Sequence, residues 1–211
     1  MLKILVADDH PLYREAITGA LKPNFSNVKF LESDSFDTTI GVLRKQRNVD
    51  VVLLDLNMPG CENYYGLLRV RQLFPNIIIA VVSAFDDPKT IFETIEFGAN
   101  GFIPKTLTTV EFVKALNEIM TGKIWIPDNM RQKVADVSQE TKKISQQVRM
   151  LTPKQFEVLR LVKRGMSNKE ISDSLSVTEA TVKAHISSLF KRLDVKSRTQ
   201  ILVAIEKLNL D

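Results

Sequence analysis

Residues 51–60 read VVLLDLNMPG, four aliphatic side chains, an acid and then a turn-forming Pro59-Gly60 pair. Val51 to Leu54 has the length and composition of a strand, and it ends on a charge, Asp55. Working outward, the design recurs. Lys3 to Ala7 stops at Asp8 and Asp9, Ile77 to Val82 stops at Ser83, and Gly101 to Ile103 is followed two residues later by Lys105. Val28 to Leu31 reads as a further strand. Between these runs, Leu12 to Leu21, Phe36 to Lys45, Tyr64 to Leu73, Pro88 to Phe97 and Thr109 to Met120 have helical spacing, with Ser35, Asp87 and Thr108 placed as N-caps. Strand-helix alternation predicts parallel strands with right-handed crossovers, a doubly wound α/β domain over residues 1–123. In such sheets chemistry gathers at the carboxyl ends of the strands.

The 211 residues suit two modest domains, and 44% hydrophobic with 26% charged residues excludes collagen-like, low-complexity and wholly disordered classes. The single cysteine, Cys61, rules out an intramolecular disulfide and a cysteine-based zinc site and fits a reducing compartment. The longest clean apolar run, Ile77 to Val82, is far short of the roughly 20 residues a membrane span needs. Asp8 and Asp9 cut off the N-terminal apolar segment before it reaches signal-peptide length, so a cytoplasmic protein with no membrane partner is expected. The net charge of +4 is unevenly divided: −2 over residues 1–123, +2 over 124–150 and +4 over 151–211. An acidic front suits a cation and a basic back suits a polyanion.

Asp8, Asp9 and Asp55 at neighbouring strand ends repel one another, and a hard divalent cation with oxygen ligands relieves that most simply, Mg²⁺ being the economical choice. Ser83 would place a hydroxyl beside the same spot, and Lys105 a point charge suited to a phosphoryl oxygen. His10 is read as a surface or capping side chain and not as a catalytic base.

These residues resemble a known family. Asp8-Asp9-His10-Pro11, Asp55-Leu56-Asn57-Met58-Pro59-Gly60, Ser83-Ala84 and Lys105 look like the receiver domain of two-component response regulators, over residues 1 to about 122. The resemblance implies a flavodoxin-like five-stranded sheet of order 2-1-3-4-5 and Asp55 as phosphoacceptor. It implies that Asp8, Asp9, Asp55 and the backbone carbonyl of Asn57 bind Mg²⁺, and that Ser83 and Lys105 grip the phosphoryl group. Phe102 matches the family's switch aromatic, with a buried core phenylalanine as the equal alternative. Two departures are visible: Asn63 where many members have Gly, and Thr106 in place of a Pro after Lys105.

Residues 127–148 are polar with scattered apolar positions, and 124–150 read as a linker, partly helical at most. Pro153 to Lys163, Lys169 to Leu175, Glu179 to Leu193 and Ser197 to Leu208 then have helical spacing, with Asn168 and Thr178 as N-caps and Gly165 as a C-terminal glycine. In the third, Val182, Ile186, Leu189 and Leu193 form one stripe, and Lys183, Ala184, Ser187 and Lys191 lie away from it, small or cationic as a helix approaching a duplex requires. Leu151-Thr152-Pro153, Gly165-Met166-Ser167-Asn168-Lys169-Glu170-Ile171, Thr181-Val182-Lys183-Ala184-His185 and Lys196-Ser197-Arg198-Thr199-Gln200 resemble the four-helix LuxR-type helix-turn-helix domain.

A receiver over 1–123 joined to such a domain over 151–211 is similar to the NarL/FixJ subfamily of transcriptional response regulators. The resemblance implies base-facing Lys183, Ala184 and Ser187, phosphate contacts from Lys169, Thr181 and Lys191, and dimerisation through Leu202, Val203 and Ile205, whose packing into their own domain is the competing account. It implies a sensor histidine kinase, a double-stranded DNA operator, a homodimer on activation or DNA binding, and RNA polymerase as partners. Gln155 replaces the family's usual acid, which removes an ion pair with Arg198 and leaves room for a hydrogen bond. A phosphatase of the haloacid dehalogenase type would need a second acid at position 57, where Asn57 stands. A regulator insensitive to phosphorylation would have no use for the intact acids, Ser83 and Lys105.

Overall fold

The computed structural model describes every residue except Arg47, Glu62, Asn63, Lys207 and residues 209–211. The departure at Asn63 therefore lies outside the described residues. The chain forms two compact units, Met1–Asp136 and Val137–Asp211.

The first unit is a five-stranded parallel sheet of order β2-β1-β3-β4-β5, built from β1 (Leu2–Ala7), β2 (Val28–Ser33), β3 (Val51–Leu54), β4 (Ile78–Ser83) and β5 (Gly101–Pro104). Helices α1 (Pro11–Leu21), α2 (Phe36–Lys45), α3 (Tyr65–Leu73) and α4 (Pro88–Glu96) provide the four crossovers, and α5 (Thr109–Met120) follows the last strand. Ser35, Asp87 and Thr108 cap α2, α4 and α5 as expected, each accepting backbone N–H bonds in the first turn. Successive strand side chains point to opposite faces. On one face Ile4, Val6, Val51, Leu53, Ala80, Val82 and Ile103 meet Ile17 and Leu21 of α1 and Phe112, Ala115, Leu116 and Ile119 of α5. The alternate residues Leu5, Val52, Leu54, Ile79, Val81 and Phe102 are also fully buried, so the sheet is covered on both faces.

Two features hold the far edge and the base of this sheet. Trp125 bridges to Gly101 as a short extension beside β5, accepting the Phe102 N–H at 2.9 Å and donating to Asn100 O at 3.2 Å. Arg71 of α3 donates to the carbonyls of Pro75, Ile77 and Gly98 and to Asn100 Oδ1, at 2.7–2.9 Å, tying together the turns that lead into β4 and β5. After Trp125 the unit ends in a 3₁₀ turn and the short α6 (Arg131–Ala135), which packs on α4.

The second unit is helical: α7 (Gln139–Arg149), α8 (Pro153–Lys163), α9 (Asn168–Leu175), α10 (Glu179–Leu193) and α11 (Arg198–Ile205). The segment read as a polar connector thus carries α6 and α7, and α7 buries Ile144, Ser145 and Val148 and packs on α10. Gly165, at φ +79°, ends α8 with the paired bonds Gly165 N–H to Val162 O and Met166 N–H to Leu161 O, a Schellman arrangement that glycine adopts without strain. The cap of α9 is Ser167 and not Asn168. Ser167 and Glu170 exchange bonds, Glu170 N–H to Ser167 Oγ at 3.3 Å and Ser167 N–H to Glu170 Oε2 at 2.7 Å, and this reciprocal box satisfies two orphan donors where Asn168 would satisfy fewer.

Gly101 is needed for its lack of a side chain: a Cβ there would strike the Ile119 side chain and lie 3.1 Å from Trp125 O. Gly101→Ala is expected to destabilise the first unit by about 1–3 kcal/mol, the usual cost of overpacking, read as a lowered denaturant midpoint; an unchanged midpoint would show that this edge can yield.

Candidate functional site

The strand register fixes the upper edge of the sheet. Ala7 pairs with Leu54 and with Ser33, so β1 and β3 end level and their next residues, Asp8 and Asp55, emerge side by side. Their own backbones complete the ladder: Asp55 N–H donates to Ala7 O at 2.8 Å and Asp8 N–H to Ser33 O at 3.1 Å. On the other side Lys105 N–H donates to Ser83 O at 2.8 Å, which swings the Lys105 side chain back over β4 toward the acids.

Both carboxylates are buried, each 2% exposed, and Lys105 bridges them. Its Nζ lies 2.6 Å from Asp8 Oδ2 and 2.8 Å from Asp55 Oδ2. The Tyr13 ring, one turn into α1, faces the same ammonium with its centroid 4.6 Å away. Asp55 Oδ1 accepts the Asn57 N–H at 3.1 Å, and Asp8 Oδ1 accepts the His10 N–H at 2.8 Å. Asp9 is one-third exposed at the mouth.

Charges of opposite sign decide the ionisation here. Burial alone would raise the Asp8 carboxyl, but hydrogen bonds and charge from Lys105, with help from His10, hold it below the ordinary range. Burial alone would lower Lys105, and its bonds to Asp55 and Asp8 hold it above its ordinary value. Both shifts favour the ionised pair. The Tyr13 phenol is pushed up by burial and by the charges of Asp8 and Asp55, so it stays protonated.

Ligand atoms from Asp8, Asp9, His10 and Asp55 all lie within 4.8 Å of one another. Asp8 Oδ2 and Asp9 Oδ1 are buried yet accept no well-directed hydrogen bond, although Lys105 Nζ and His10 Nδ1 stand 2.6 and 2.8 Å away. Lone pairs are therefore left over on hard oxygen donors, and the donor set fits a divalent cation.

The second unit presents a different surface. Thr178 caps α10, accepting from Thr181 N–H at 3.2 Å, and the turn before it passes through Ser176 at φ +53°. Val182, Ile186, Leu189 and Leu193 are buried, while Thr181, Lys183, Ala184, Ser187 and Lys191 on α10 and Lys169 on α9 are exposed. A helix with a buried stripe, a tight turn before it and a small, cationic outer face is the outline of a helix-turn-helix.

Comparison with known proteins agrees with both halves. Residues 4–117 match the family model described as response regulator receiver domain, and residues 149–205 match bacterial regulatory proteins, luxR family. The chain belongs to the response regulator family. It is a two-component response regulator that binds DNA to regulate transcription, a receiver followed by a LuxR-type helix-turn-helix, and not an enzyme family member.

The glycerol metabolism activator of Pseudomonas putida is 33% identical over 209 residues, covering 97% of this chain and 95% of that protein. The nitrate/nitrite response regulator NarL of Escherichia coli (strain K12) is 28% identical over 207 residues, covering 97% and 94%. Among solved structures, RcsB from Salmonella enterica serovar Typhimurium, bound to a promoter in the presence of the phosphomimetic BeF3⁻, matches with a TM-score of 0.57 at 25% identity over 98% of each chain.

The response regulator's remaining site residues fall as follows. Ser83 is buried and its Oγ accepts the Phe85 N–H at 3.1 Å. Phe102 is fully buried in β5. His10 is exposed, in line with the surface half of its expected surface or capping role, and at the N-cap position of α1 it makes no side-chain cap bond. Of the three residues expected at a dimer surface, Val203 is 58% exposed and Leu202 partly buried, but Ile205 is fully buried in its own unit and cannot belong to such a surface. Gln155 does not reach Arg198. Its Nε2 donates to Ser188 Oγ at 2.7 Å and its Oε1 accepts the Thr152 N–H at 2.9 Å, while Arg198 donates to the Met166 carbonyl. Sequence reasoning missed Tyr13, whose place over Lys105 depends on how α1 leaves β1. It also missed Arg14, which donates to Asp8 O at 2.7 Å and pairs with Glu32 at 3.0 Å.

Removing Lys105 leaves Asp8 and Asp55 buried without their shared counter-charge. Lys105→Ala is expected to cost about 3 kcal/mol in a divalent-free buffer, and Mg²⁺ is expected to return more stability to the variant than to the parent. Denaturant melts with and without Mg²⁺ measure both; a variant as stable as the parent without cation would overturn the bridging role.

Proposed function

We propose that Asp55 is the phosphoacceptor of this response regulator and that its modification, with a sensor histidine kinase as donor, controls dimerisation and operator binding. The observation that carries the reading is the pair of buried carboxylates bridged by one ammonium at the end of β1 and β3, with Asp9 at the mouth. Asp8, Asp9, Asp55 and the Asn57 carbonyl would hold Mg²⁺. Bound there, the cation supplies positive charge that screens the acceptor from an anionic phosphodonor.

The chain's own residues do the rest. The Asn57 N–H holds Asp55 Oδ1, which fixes the carboxylate plane. A carboxylate oxygen of Asp55 forms the new bond to phosphorus as the donor's phosphorus–nitrogen bond breaks, the electron pair leaving with the imidazole. Lys105, already 2.8 Å from Asp55 Oδ2, turns its ammonium to the incoming phosphoryl oxygens without having to be recruited from solvent. Ser83 exchanges the Phe85 N–H for a phosphoryl oxygen, and that shift, with Phe102 packed in β5, is the device that alters the surface beyond.

Downstream, Lys183, Ala184 and Ser187 face base edges, and Lys169, Thr181 and Lys191 contact phosphates. Leu202 and Val203 form the dimer contact, with RNA polymerase the further partner. The functional division is receiver 1–123, connector 124–150 and DNA-binding domain 151–211, in a cytoplasmic protein. The RcsB structure solved on a promoter with a phosphomimetic supports carrying DNA binding to this chain.

Asp55→Asn is expected to abolish label incorporation from a small phosphodonor with Mg²⁺; labelling at the parent rate would exclude Asp55 as acceptor. Lys183→Ala is expected to weaken operator binding. Across the Lys169, Thr181 and Lys191 set, loss of one charged phosphate contact should lower the slope of log affinity against log salt by about one, whereas salt-independent binding measured by fluorescence anisotropy would contradict the interface.

A further inference from the structure

We infer that Tyr13 is a positioning residue for phosphoryl transfer: its ring face holds the Lys105 ammonium beside Asp55 by a cation–π attraction. The inference rests on Asp55 being the acceptor, as proposed above. The ring centroid lies 4.6 Å from Lys105 Nζ, inside the reach of such a contact. Lys105 is only 17% exposed, so water competes weakly for its charge and the ring counts for more than it would at the surface.

Backbone and core together set the ring. Pro11 opens α1, and the Tyr13 N–H donates to the His10 carbonyl at 3.1 Å. The half-buried side chain packs against the cluster that α1 shares with the sheet and α5. Tyr13 therefore meets the ammonium as a wall fixed by the fold and not as a free surface group.

The same ammonium lies 2.6 Å from Asp8 Oδ2 and 2.8 Å from Asp55 Oδ2. Those carboxylates are the groups that transfer uses, so their hold on the lysine slackens as the reaction proceeds. The ring face offers no lone pair to a hard cation or to phosphorus, and its attraction persists when theirs is diverted. A lysine kept within the site meets the developing charge without being reorganised. The competing account is an apolar wall beside the lysine stem, for which the shape of the ring matters and its electrons do not.

Ring fluorination separates the two, because it drains negative charge from the face at nearly constant shape. The full chain carries Tyr13→Phe as the reference, then 4-fluoro-, 3,5-difluoro- and 3,4,5-trifluorophenylalanine at the same position. Labelling of Asp55 from acetyl phosphate with Mg²⁺ should slow stepwise along the series, by about three- to tenfold at its last member. Denaturant midpoints in divalent-free buffer should fall in the same order, and in a Lys105→Ala background both series should be flat. Rates that do not change with fluorination, or that change equally without Lys105, would overturn the inference and leave the acceptor in place. No label on the parent protein would overturn the acceptor and this inference with it.

Discussion

One ammonium group holds the functional end of the receiver together. Lys105 Nζ contacts Asp8 and Asp55 at once, and each of those carboxylates is 2% exposed. Two buried like charges at adjacent strand ends would force one of them to take up a proton. The lysine offsets that repulsion, and its charge and hydrogen bonding hold the Asp8 carboxyl below its ordinary range. The Tyr13 ring on one side and the Ser83 carbonyl on the other fix where the lysine can go.

The sheet order follows from the same demand. Asp8 and Asp55 lie side by side only because β1 and β3 are neighbours in register, and Lys105 reaches back to them from β5 across β4. The anchoring at the base is as specific: Arg71 and Asn100 join the turns entering β4 and β5, and Trp125 pairs beside β5. Sliding β3 by one residue toward its start would carry Asp55 into the place of Leu54 and bring Leu56 to the mouth. The covered faces of the sheet oppose such a slip with every buried aliphatic residue on β1 and β3.

This division of labour explains what was legible in the sequence. Asp8, Asp55, Ser83 and Lys105 could be read because each ends an apolar run, and a charge there is visible without knowing the packing. The sheet and its five helices could be read for the same reason, their period being local. His10 and Tyr13 could not, since their targets depend on the angle at which α1 leaves β1. Asn168 and Ser167 are both good caps, and only Glu170 at the right spacing favours Ser167. Gln155 turns to Ser188 on α10, a partner 33 residues away that no local pattern announces. Ile205 belongs to an alternation that looks the same whether it packs inward or outward.

The helical unit shows how far a polar sequence can mislead about order. α9 and α11 have eight residues each, too few to persist alone in water. Both pack on α10, as do α7 and α8, so the helix with the exposed lysines is also the one that every other helix leans on. The stripe Val182, Ile186, Leu189 and Leu193 is buried, and the outer face is free for a duplex only while that stripe stays docked. α7 lies almost wholly before the matched residues 149–205, yet it buries Ile144 and Val148 and packs on α10. Most of its polar residues, Thr141 and Ser145 excepted, are not buried, which is why composition alone reads as linker. A segment that packs on α10 from within its own unit is more than a tether.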